Sequence, residues 1–259
     1  MAIPLSAKRT VTAIVSLSLL FLTWEALTPP SSQGFALPSF SETVAAFVAA
    51  AAQKDIWVAT AQTLTSAALG FAIAAAVAVP AGLIIGSSQF AFYATRTAVE
   101  FLKPIPSIVM LPLVALVAGP TGQLAVLLVI YGCIFPILIQ TVAGVRDADP
   151  VAKETGRCFG LSQSEVMARI VLPGALPFIA TGLRISCISA LIIAVGAELI
   201  GGAPGLGHLL FVAQSAGLYP ELYAYVLLLG ILGVVVNLLA SKLEQLILHW
   251  HISVRTEHA

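Results

Sequence analysis

Two charged side chains, Arg184 and Glu198, lie within one long apolar stretch of the sequence. A charge at the centre of a membrane helix costs about 2.5–3.5 kcal/mol on insertion scales, so each side chain must face protein or water. The two residues are 14 positions apart, which places them within about 40° of each other on one helix face. They either line or gate a transport path, or they have a purely structural role. In the second case Arg184 caps backbone carbonyls or pairs with a neighbouring helix, and Glu198 reaches the outer interface.

Three neutral polar residues in apolar surroundings, Tyr131, Gln140 and Gln214, are further candidates for the lining of such a path. Gln140 falls near the inner end of its stretch, close to where an inner gate would be. The alternative is a buried amide whose hydrogen bonds are satisfied by a neighbouring helix. Both interpretations are compatible with the residue types.

Motifs for enzymatic catalysis are missing from the sequence. None of the five lysines follows a glycine, so there is no GK[ST] phosphate-binding loop, and neither HExxH nor GxSxG occurs. The three cysteines are far apart and form no CxxC pair, which argues against a disulfide framework or a metal site. We therefore expect a protein that is not an enzyme and has no metal or cofactor of its own. Any energy from ATP must come from another subunit.

The composition indicates a membrane protein. Hydrophobic residues make up 59% of the 259 residues and charged residues only 9%, with a mean hydropathy of +1.02. Soluble domains carry roughly 25% charged residues, so this deficit excludes an ordinary soluble enzyme and a disordered chain. The net charge is zero, which leaves no basic surface for nucleic acid.

Six apolar stretches approach the length of about 20 residues that a membrane-spanning helix needs. The third stretch contains three prolines, which predict either a broken helix lining a cavity or a simple kink. The six predicted spans are Val11–Leu27, Val58–Gly86, Phe101–Ala118, Gln123–Gly144, Ala175–Ile200 and Leu222–Leu243.

The distribution of Lys and Arg predicts the orientation of these spans. With the N-terminus inside, ten basic residues fall on the cytoplasmic side and only Lys54 falls outside, so both termini are expected in the cytoplasm. The chain is then a single all-α transmembrane domain over residues 1–259. A short interfacial helix over Thr43–Gln53, starting at Ser41-Glu42, is expected on the outer face. The predicted segments are a first span (11–27), an outer linker and interfacial helix (28–57), spans two to four (58–144), a cytoplasmic loop (145–174), spans five and six (175–243) and a tail (244–259).

The cytoplasmic loop carries the clearest local signals in the chain. Lys153–Phe159 can form a short helix that Gly160 ends in a left-handed conformation. Ser162 and Glu165 have the spacing of a capping box, which predicts the start of a second helix. That helix is expected to stop at Leu172-Pro173. The result is a compact two-helix loop projecting from the membrane.

Five residues of this loop have the spacing of a known motif. Glu154, Gly160, Ile170, Leu172 and Pro173 match E-A-A-x3-G-x9-I-x-L-P, the "EAA" motif in the permease subunits of ABC importers. Thr155 and Gly156 replace the two alanines, and the glycine weakens the first loop helix by about 1 kcal/mol relative to alanine. The sequence therefore resembles that family.

The resemblance extends over nearly the whole chain and is closest to the nitrate, sulfonate and taurine branch of these permeases. The segments that carry it are Leu37-Pro38, Phe101–Pro106, Leu111–Leu113, Ala143–Arg146, Leu172–Pro177, Thr181–Arg184, Ala197–Ile200 and Gly205–Gly207.

This resemblance implies a type I ABC importer permease fold in a bacterial inner membrane. It also implies that the loop helix docks on a cytoplasmic ATPase dimer that binds ATP and Mg. A second permease copy or a paralogue would complete the path. An extracytoplasmic binding protein would deliver a small, anionic solute. The ATPase-coupling residues implied are Glu154, Thr155, Gly156, Gly160, Leu161, Ser162, Ile170, Leu172 and Pro173.

An autonomous secondary carrier or channel is the alternative from another class. It would need its own coupling-ion site and inverted halves of the chain, and the sequence shows neither. An intramembrane protease would need a nucleophile and a base that cannot be placed here. The substrate itself is not predicted: nitrate, sulfonates, taurine and small aromatic or heterocyclic nutrients all remain open.

Overall fold

The computed structural model describes residues 5–28 and 37–248, and within this part of the chain every regular element is helical. The predicted all-α class is therefore confirmed. The predicted outer linker at 29–36 and the end of the tail at 249–259 lie outside the described residues. In chain order the elements are α1 (Leu5–Leu27), α2 (Phe40–Ala51), α3 (Lys54–Ser87), α4 (Gln89–Leu102), a 3₁₀ helix (Ser107–Met110), α5 (Leu111–Ala118), α6 (Gly122–Asp147), α7 (Pro150–Cys158), α8 (Gln163–Val166), a π-helical turn (Met167–Val171), α9 (Leu172–Gly201), α10 (Leu206–Ser215) and α11 (Tyr219–Ile247).

Four helices in the described part of the chain are long and apolar enough to cross a membrane. They are α3, α6, α11 and the continuous helix Gln163–Gly201, which contains α8 and α9. The bent pair Gln89–Leu102 and Ser107–Ala118 is a fifth if it is counted as one span. Within α1 the described apolar helix is Ser18–Leu27, which is shorter than a span. The sixth span therefore stays a prediction.

The third predicted span differs from the structure. It was expected at Phe101–Ala118 with kinks, but its first helix begins at Gln89, and the two halves are bent by 81°. The start was missed because the charged residues Arg96 and Glu100 within α4 interrupt the apolar stretch. The break follows from Pro104 and Pro106, which have no N–H to donate and cannot continue a helix. The prolines therefore mark a broken helix and not a simple kink.

The short helix on the predicted outer side, α2, starts earlier than expected. Ser39, not Ser41, is its N-cap and forms a capping box with Glu42. The Ser41 hydroxyl instead donates to Glu25 Oε1 of α1 at 2.8 Å. The expected start at Ser41 was therefore wrong, because that side chain bonds to another helix.

The centre of the fold is the packing of α3, α6 and α9. Along α3 a small residue recurs every fourth position, which allows the backbones of two helices to approach closely. Close packing of this kind stabilises helix pairs in lipid, where the hydrophobic effect does not drive helices together. A Cβ at Gly70 would lie only 2.6 Å from the Val129 Cβ of α6. The small residues of this ladder are Gly70, Ala74, Ala78, Gly82 and Gly86.

Helix α9 is joined to α6 by a reciprocal pair of buried hydrogen bonds. Ser186 Oγ donates to the Cys133 carbonyl at 3.2 Å, and Cys133 Sγ donates to the Ser186 carbonyl at 3.3 Å. On the predicted outer side, α2, α10 and α11 pack together around Leu206 and Leu228. The three central helices therefore form one packed unit, to which the loop and the broken helix are attached.

The second loop helix does not stop at Leu172-Pro173, as the sequence predicted. It continues from Gln163 to Gly201 through the π-helical turn Met167–Val171. In that turn the Leu172 N–H bonds to the Met167 carbonyl five residues back. A widened turn accommodates Pro173, which lacks an N–H and would otherwise crowd the preceding turn.

Candidate functional site

The first loop helix, α7, ends in a Schellman turn. Gly160 has a φ of +84°, so it is in the left-handed region that glycine adopts without strain. The Leu161 N–H donates to the Gly156 carbonyl at 3.0 Å, and the Gly160 N–H donates to the Arg157 carbonyl at 2.9 Å. These two bonds define the motif. The predicted left-handed cap at Gly160 is confirmed.

The second loop helix begins with the predicted capping box, which is also confirmed. The Glu165 N–H donates to Ser162 Oγ at 3.3 Å, and the Ser162 N–H donates to Glu165 Oε2 at 2.9 Å. The two helices therefore meet at a turn that is fixed on both sides, because α7 has a bonded end and α8 has a bonded start.

The inner side of the loop is a small packed core. Gly156 is buried, and a Cβ there would lie 2.7 Å from Ile170 Cδ1 and 3.2 Å from Leu161 Cδ1. The glycine that replaces an alanine of the motif therefore lets α7 approach the second helix closely. Three of the predicted coupling residues, Gly156, Leu161 and Ile170, hold the two helices together. Leu172 is partly buried against the same cluster.

The side of α7 that faces away from the second loop helix exposes two large apolar residues between polar ones. We call this side the docking face. Val151 is 67% exposed and Phe159 is 85% exposed, while Glu154 and Thr155 are exposed beside them. Ser162 and Pro173 are exposed as well. Sequence reasoning missed Phe159, although an aromatic residue in an otherwise polar loop was visible beside Gly160. This mixed face can contact a partner protein through apolar and charged groups together.

A cavity of about 460 Å³ lies where the broken helix meets α6 and α9. Its polar lining comes from Lys103, Ser107, Tyr131 and Ser189, and the remaining lining residues are apolar or glycine. Tyr131 is held in place because its hydroxyl donates to the Leu102 carbonyl at 3.0 Å. Of the five residues proposed for the path, only Tyr131 lines this cavity.

The cavity contains three polar residues that sequence reasoning did not select. Lys103 was counted among the cytoplasmic basic residues that orient the spans, although it falls within the third predicted span, and Ser107 and Ser189 looked like ordinary small residues. The break at Pro104 and Pro106 was the available signal, because backbone that leaves a helix within a membrane lines a cavity or is buried in protein.

The other proposed path residues lie elsewhere. Gln140 packs against α9 at Gly182, where an added Cβ would lie 3.0 Å from the Gln140 Cβ. Gln214 is exposed near the end of α10. Arg184 forms an ion pair with Glu244 of α11, with the Arg184 Nη1 and Glu244 Oε2 atoms 3.0 Å apart. Arg184 therefore fits the structural alternative of pairing with a neighbouring helix.

Glu198 is fully buried and does not reach an outer interface, so that expectation is wrong. Its Oε2 accepts from the Thr63 hydroxyl at 2.8 Å and from the Gly207 N–H at 2.9 Å. Thr63 Oγ1 in turn accepts from the Leu206 N–H at 2.9 Å. A carboxylate at the start of α10 satisfies N–H groups that have no partner within that helix. Glu198 and Thr63 thus attach the 201–207 loop to the central helices.

Comparison with known proteins agrees with this architecture. Residues 78–248 match the family model described as "Binding-protein-dependent transport system inner membrane component". The nitrate import permease protein NrtB of Synechocystis is 30% identical over 71% of this chain and 67% of its own length. The putative aliphatic sulfonates transport permease protein SsuC of Escherichia coli is 30% identical over 83% of this chain and 82% of its own.

Among solved structures, a bacterial ABC transporter involved in the import of alginate is similar in fold. Its matching chain has a TM-score of 0.67 and 18% identity over 94% of this chain and 96% of its own length. The extent of the family match and the identity to the nitrate and sulfonate permeases settle the assignment. The chain belongs to the binding-protein-dependent inner membrane components, as a multi-pass permease subunit of ABC importers of the nitrate and sulfonate branch and a transport component rather than an enzyme.

Proposed function

We propose that this chain forms half of the path through which an ATP-driven importer carries a small anionic solute across a bacterial cytoplasmic membrane. The observation that supports this most directly is the cavity at the broken helix, where Lys103 is the only charged lining residue. Ionisable residues within membrane segments are costly and commonly mark ion or substrate pathways. Relatives named for nitrate, aliphatic sulfonates and bicarbonate are consistent with an anion.

The lining of the cavity suits a small anion in other ways. The hydroxyl groups of Ser107, Tyr131 and Ser189 can donate hydrogen bonds to an oxyanion. The rest of the surface is largely apolar, which strengthens the attraction between a cation and an anion. The adjoining helix α5 is highly exposed, with Leu116 87% and Val117 84% exposed. We propose that a second permease, a copy or a paralogue, covers this side and completes the path.

The energy comes from a separate cytoplasmic ATPase dimer that binds ATP and Mg. This dimer docks on the exposed side of α7, which faces away from the second loop helix. Val151, Glu154 and Phe159 are the contacts proposed there. ATP binding brings the two ATPases and both coupling loops together and opens the cavity to a loaded binding protein on the outer face. Hydrolysis then returns the cavity to the inward-facing state. Alternating access of this kind is expected when two units rock around a central site.

The continuous helix Gln163–Gly201 provides the connection between docking and transport. It begins inside the loop and carries Ser189 into the cavity. Ser189 lies 26 positions after Gln163, which at about 1.5 Å per residue is about 39 Å along the helix. Movement of the loop is thereby passed to the cavity through one helix, without an intervening linker.

Uptake by the reconstituted transporter tests the proposal. The complete complex in proteoliposomes, supplied with its binding protein, is compared as wild type, Lys103→Gln and Lys242→Gln with nitrate, an aliphatic sulfonate and bicarbonate. Lys242 is exposed on α11 and lines no cavity described above, so its variant is a charge-matched control. We expect at least a tenfold loss of uptake for Lys103→Gln alone, equivalent to about 1.4 kcal/mol of lost interaction.

Two outcomes would contradict the proposal. Normal anion uptake by Lys103→Gln would show that the cavity around Lys103 is not part of the transport path. Uptake that is driven by an ion gradient with no ATPase present would instead support an autonomous carrier.

A further inference from the structure

We propose that a second, basic cavity beneath the coupling loop binds a phosphate group. This cavity has a volume of about 400 Å³ and lies between the loop helices and the ends of α3 and α6. We call it the basic cavity and define it by Gln89, Arg146, Lys153, Arg157 and Gln163, which provide its amide and cationic lining. It is separate from the transport cavity and does not depend on which solute the protein carries.

Among the described residues, the three cations of the basic cavity contact neutral partners. Lys153 Nζ donates to the Val145 carbonyl at 3.4 Å, and Arg157 Nη2 donates to Gln163 Oε1 at 3.1 Å. The guanidinium carbon of Arg146 lies 3.9 Å from the centre of the Phe92 ring. Each side chain is therefore positioned without its charge being neutralised.

None of these three cations forms an ion pair within 4 Å with an acidic side chain of the described residues. In the described part of the chain the ion pairs within 4 Å join Arg96 to Glu100, Arg169 to Glu165 and Arg184 to Glu244. Asp149, beside α7, instead accepts the Val151 N–H at 2.8 Å as the helix cap. Three positive charges around one cavity repel one another, and an anion bound between them would relieve that repulsion.

A phosphate group matches this arrangement in charge and in shape. Arginine presents a planar fork of N–H donors that fits the oxygens of a phosphate, and lysine adds a point charge. The amide groups of Gln89 and Gln163 add further donors at the edge. The cavity also includes Gly86 and Ser87, at the end of the membrane-spanning helix α3. A lipid headgroup can reach this position from the bilayer, and a free phosphate ion can reach it from solution.

A bound phosphate would connect the loop to the membrane helices. Lys153 and Arg157 belong to α7, Gln163 to α8 and Arg146 to α6, and Gln89 begins α4. One ligand would thus bridge four helices, of which α7 and the second loop helix already meet through the core around Gly156. It would hold α7 against the end of α6 and set how freely the loop moves when the ATPase closes.

Lipid retention and thermal stability measure this binding. The purified transporter complex is compared as wild type, Lys153→Gln, Arg157→Gln and Arg169→Gln. Arg169→Gln is the control, because Arg169 is exposed on the same loop, is paired with Glu165 and is not part of the basic cavity. Native mass spectrometry counts retained phosphatidylglycerol against phosphatidylcholine, and melting temperatures are recorded with and without inorganic phosphate.

We expect the control to behave as wild type and each cavity variant to bind about tenfold more weakly, because one charge-assisted hydrogen bond is lost. Selective loss of phosphatidylglycerol in the cavity variants identifies a lipid headgroup as the source. A phosphate-induced stabilisation that only these variants lose identifies free phosphate. Equal lipid retention and no phosphate effect in all four proteins would overturn the proposal. Size-exclusion profiles verify assembly, and the two single variants provide independent tests.

Discussion

Replacing Gly160 with valine should uncouple the ATPase while leaving the protein in the membrane. The residue has a φ of +84°, where an ordinary residue costs about 1–2 kcal/mol and a β-branched one costs more. No other atom lies within 4 Å of an added Cβ, so the cost comes from the backbone and not from a clash. About 2 kcal/mol corresponds to about a thirtyfold loss of the native turn.

The loss of this turn has a defined structural consequence. The hydrogen bond from Leu161 to Gly156 and the one from Gly160 to Arg157 would both break, and the exposed ring of Phe159 would leave its position. We therefore expect weaker binding of the ATPase and loss of uptake, whereas capture of the solute by the binding protein on the opposite face should be unchanged. Pull-down of the ATPase and uptake into proteoliposomes measure the two effects.

Two further variants make the test specific. Gly160→Asn should retain most of the activity, because asparagine tolerates the left-handed conformation better than other residues. Gly174→Val is the control, since Gly174 is an exposed glycine with open space around it and an ordinary φ. If Gly160→Val binds the ATPase and transports as well as Gly174→Val, the turn is not needed for coupling and the reasoning is refuted.

Two other predictions concern the fold and its orientation. Thr63→Val should destabilise the protein by about 1–3 kcal/mol, because the buried Leu206 N–H loses its acceptor. The melting temperature should fall well below that of Thr60→Val, which loses only a bond within its own helix; equal melting temperatures would refute this. In a cysteine-free background, Ser162→Cys should react with a membrane-impermeant reagent only from the cytoplasmic side and Gln214→Cys only from outside. Labelling of position 162 in intact cells would contradict the orientation.

The loop could be predicted in detail because its signals are local. The end of α7 at Gly160 and the start of α8 at Ser162 depend on residues a few positions apart, so the sequence alone contains the information. The exception was the expected stop at Leu172-Pro173. A proline ends most helices, but here the π-helical turn that ends at Val171, two residues before Pro173, provides room for it. Such turns are rare, so the sequence alone gives little reason to expect one.

The cavity and the buried network could not be predicted in the same way. Lys103 and Ser189 come from segments far apart in the chain and meet only through packing. Glu198 and its partner Thr63 are separated by 135 positions. The sequence shows that a carboxylate such as Glu198 is costly to bury in a membrane helix. It does not show which side chain donates the hydrogen bond that offsets this cost. Most of the long apolar helices were therefore accessible from the sequence, whereas the side chains that meet across them were not.

The unbroken helix from Gln163 to Gly201 also limits how this chain can change in evolution. One residue inserted or deleted between the loop and Ser189 would rotate everything beyond it by about 100° and shift it by about 1.5 Å. Ser189 would then no longer face the cavity while the loop faces the ATPase, although no residue of the loop or of the cavity had been changed. Substitutions can accumulate along this helix, but its residue count between the loop and Ser189 is fixed.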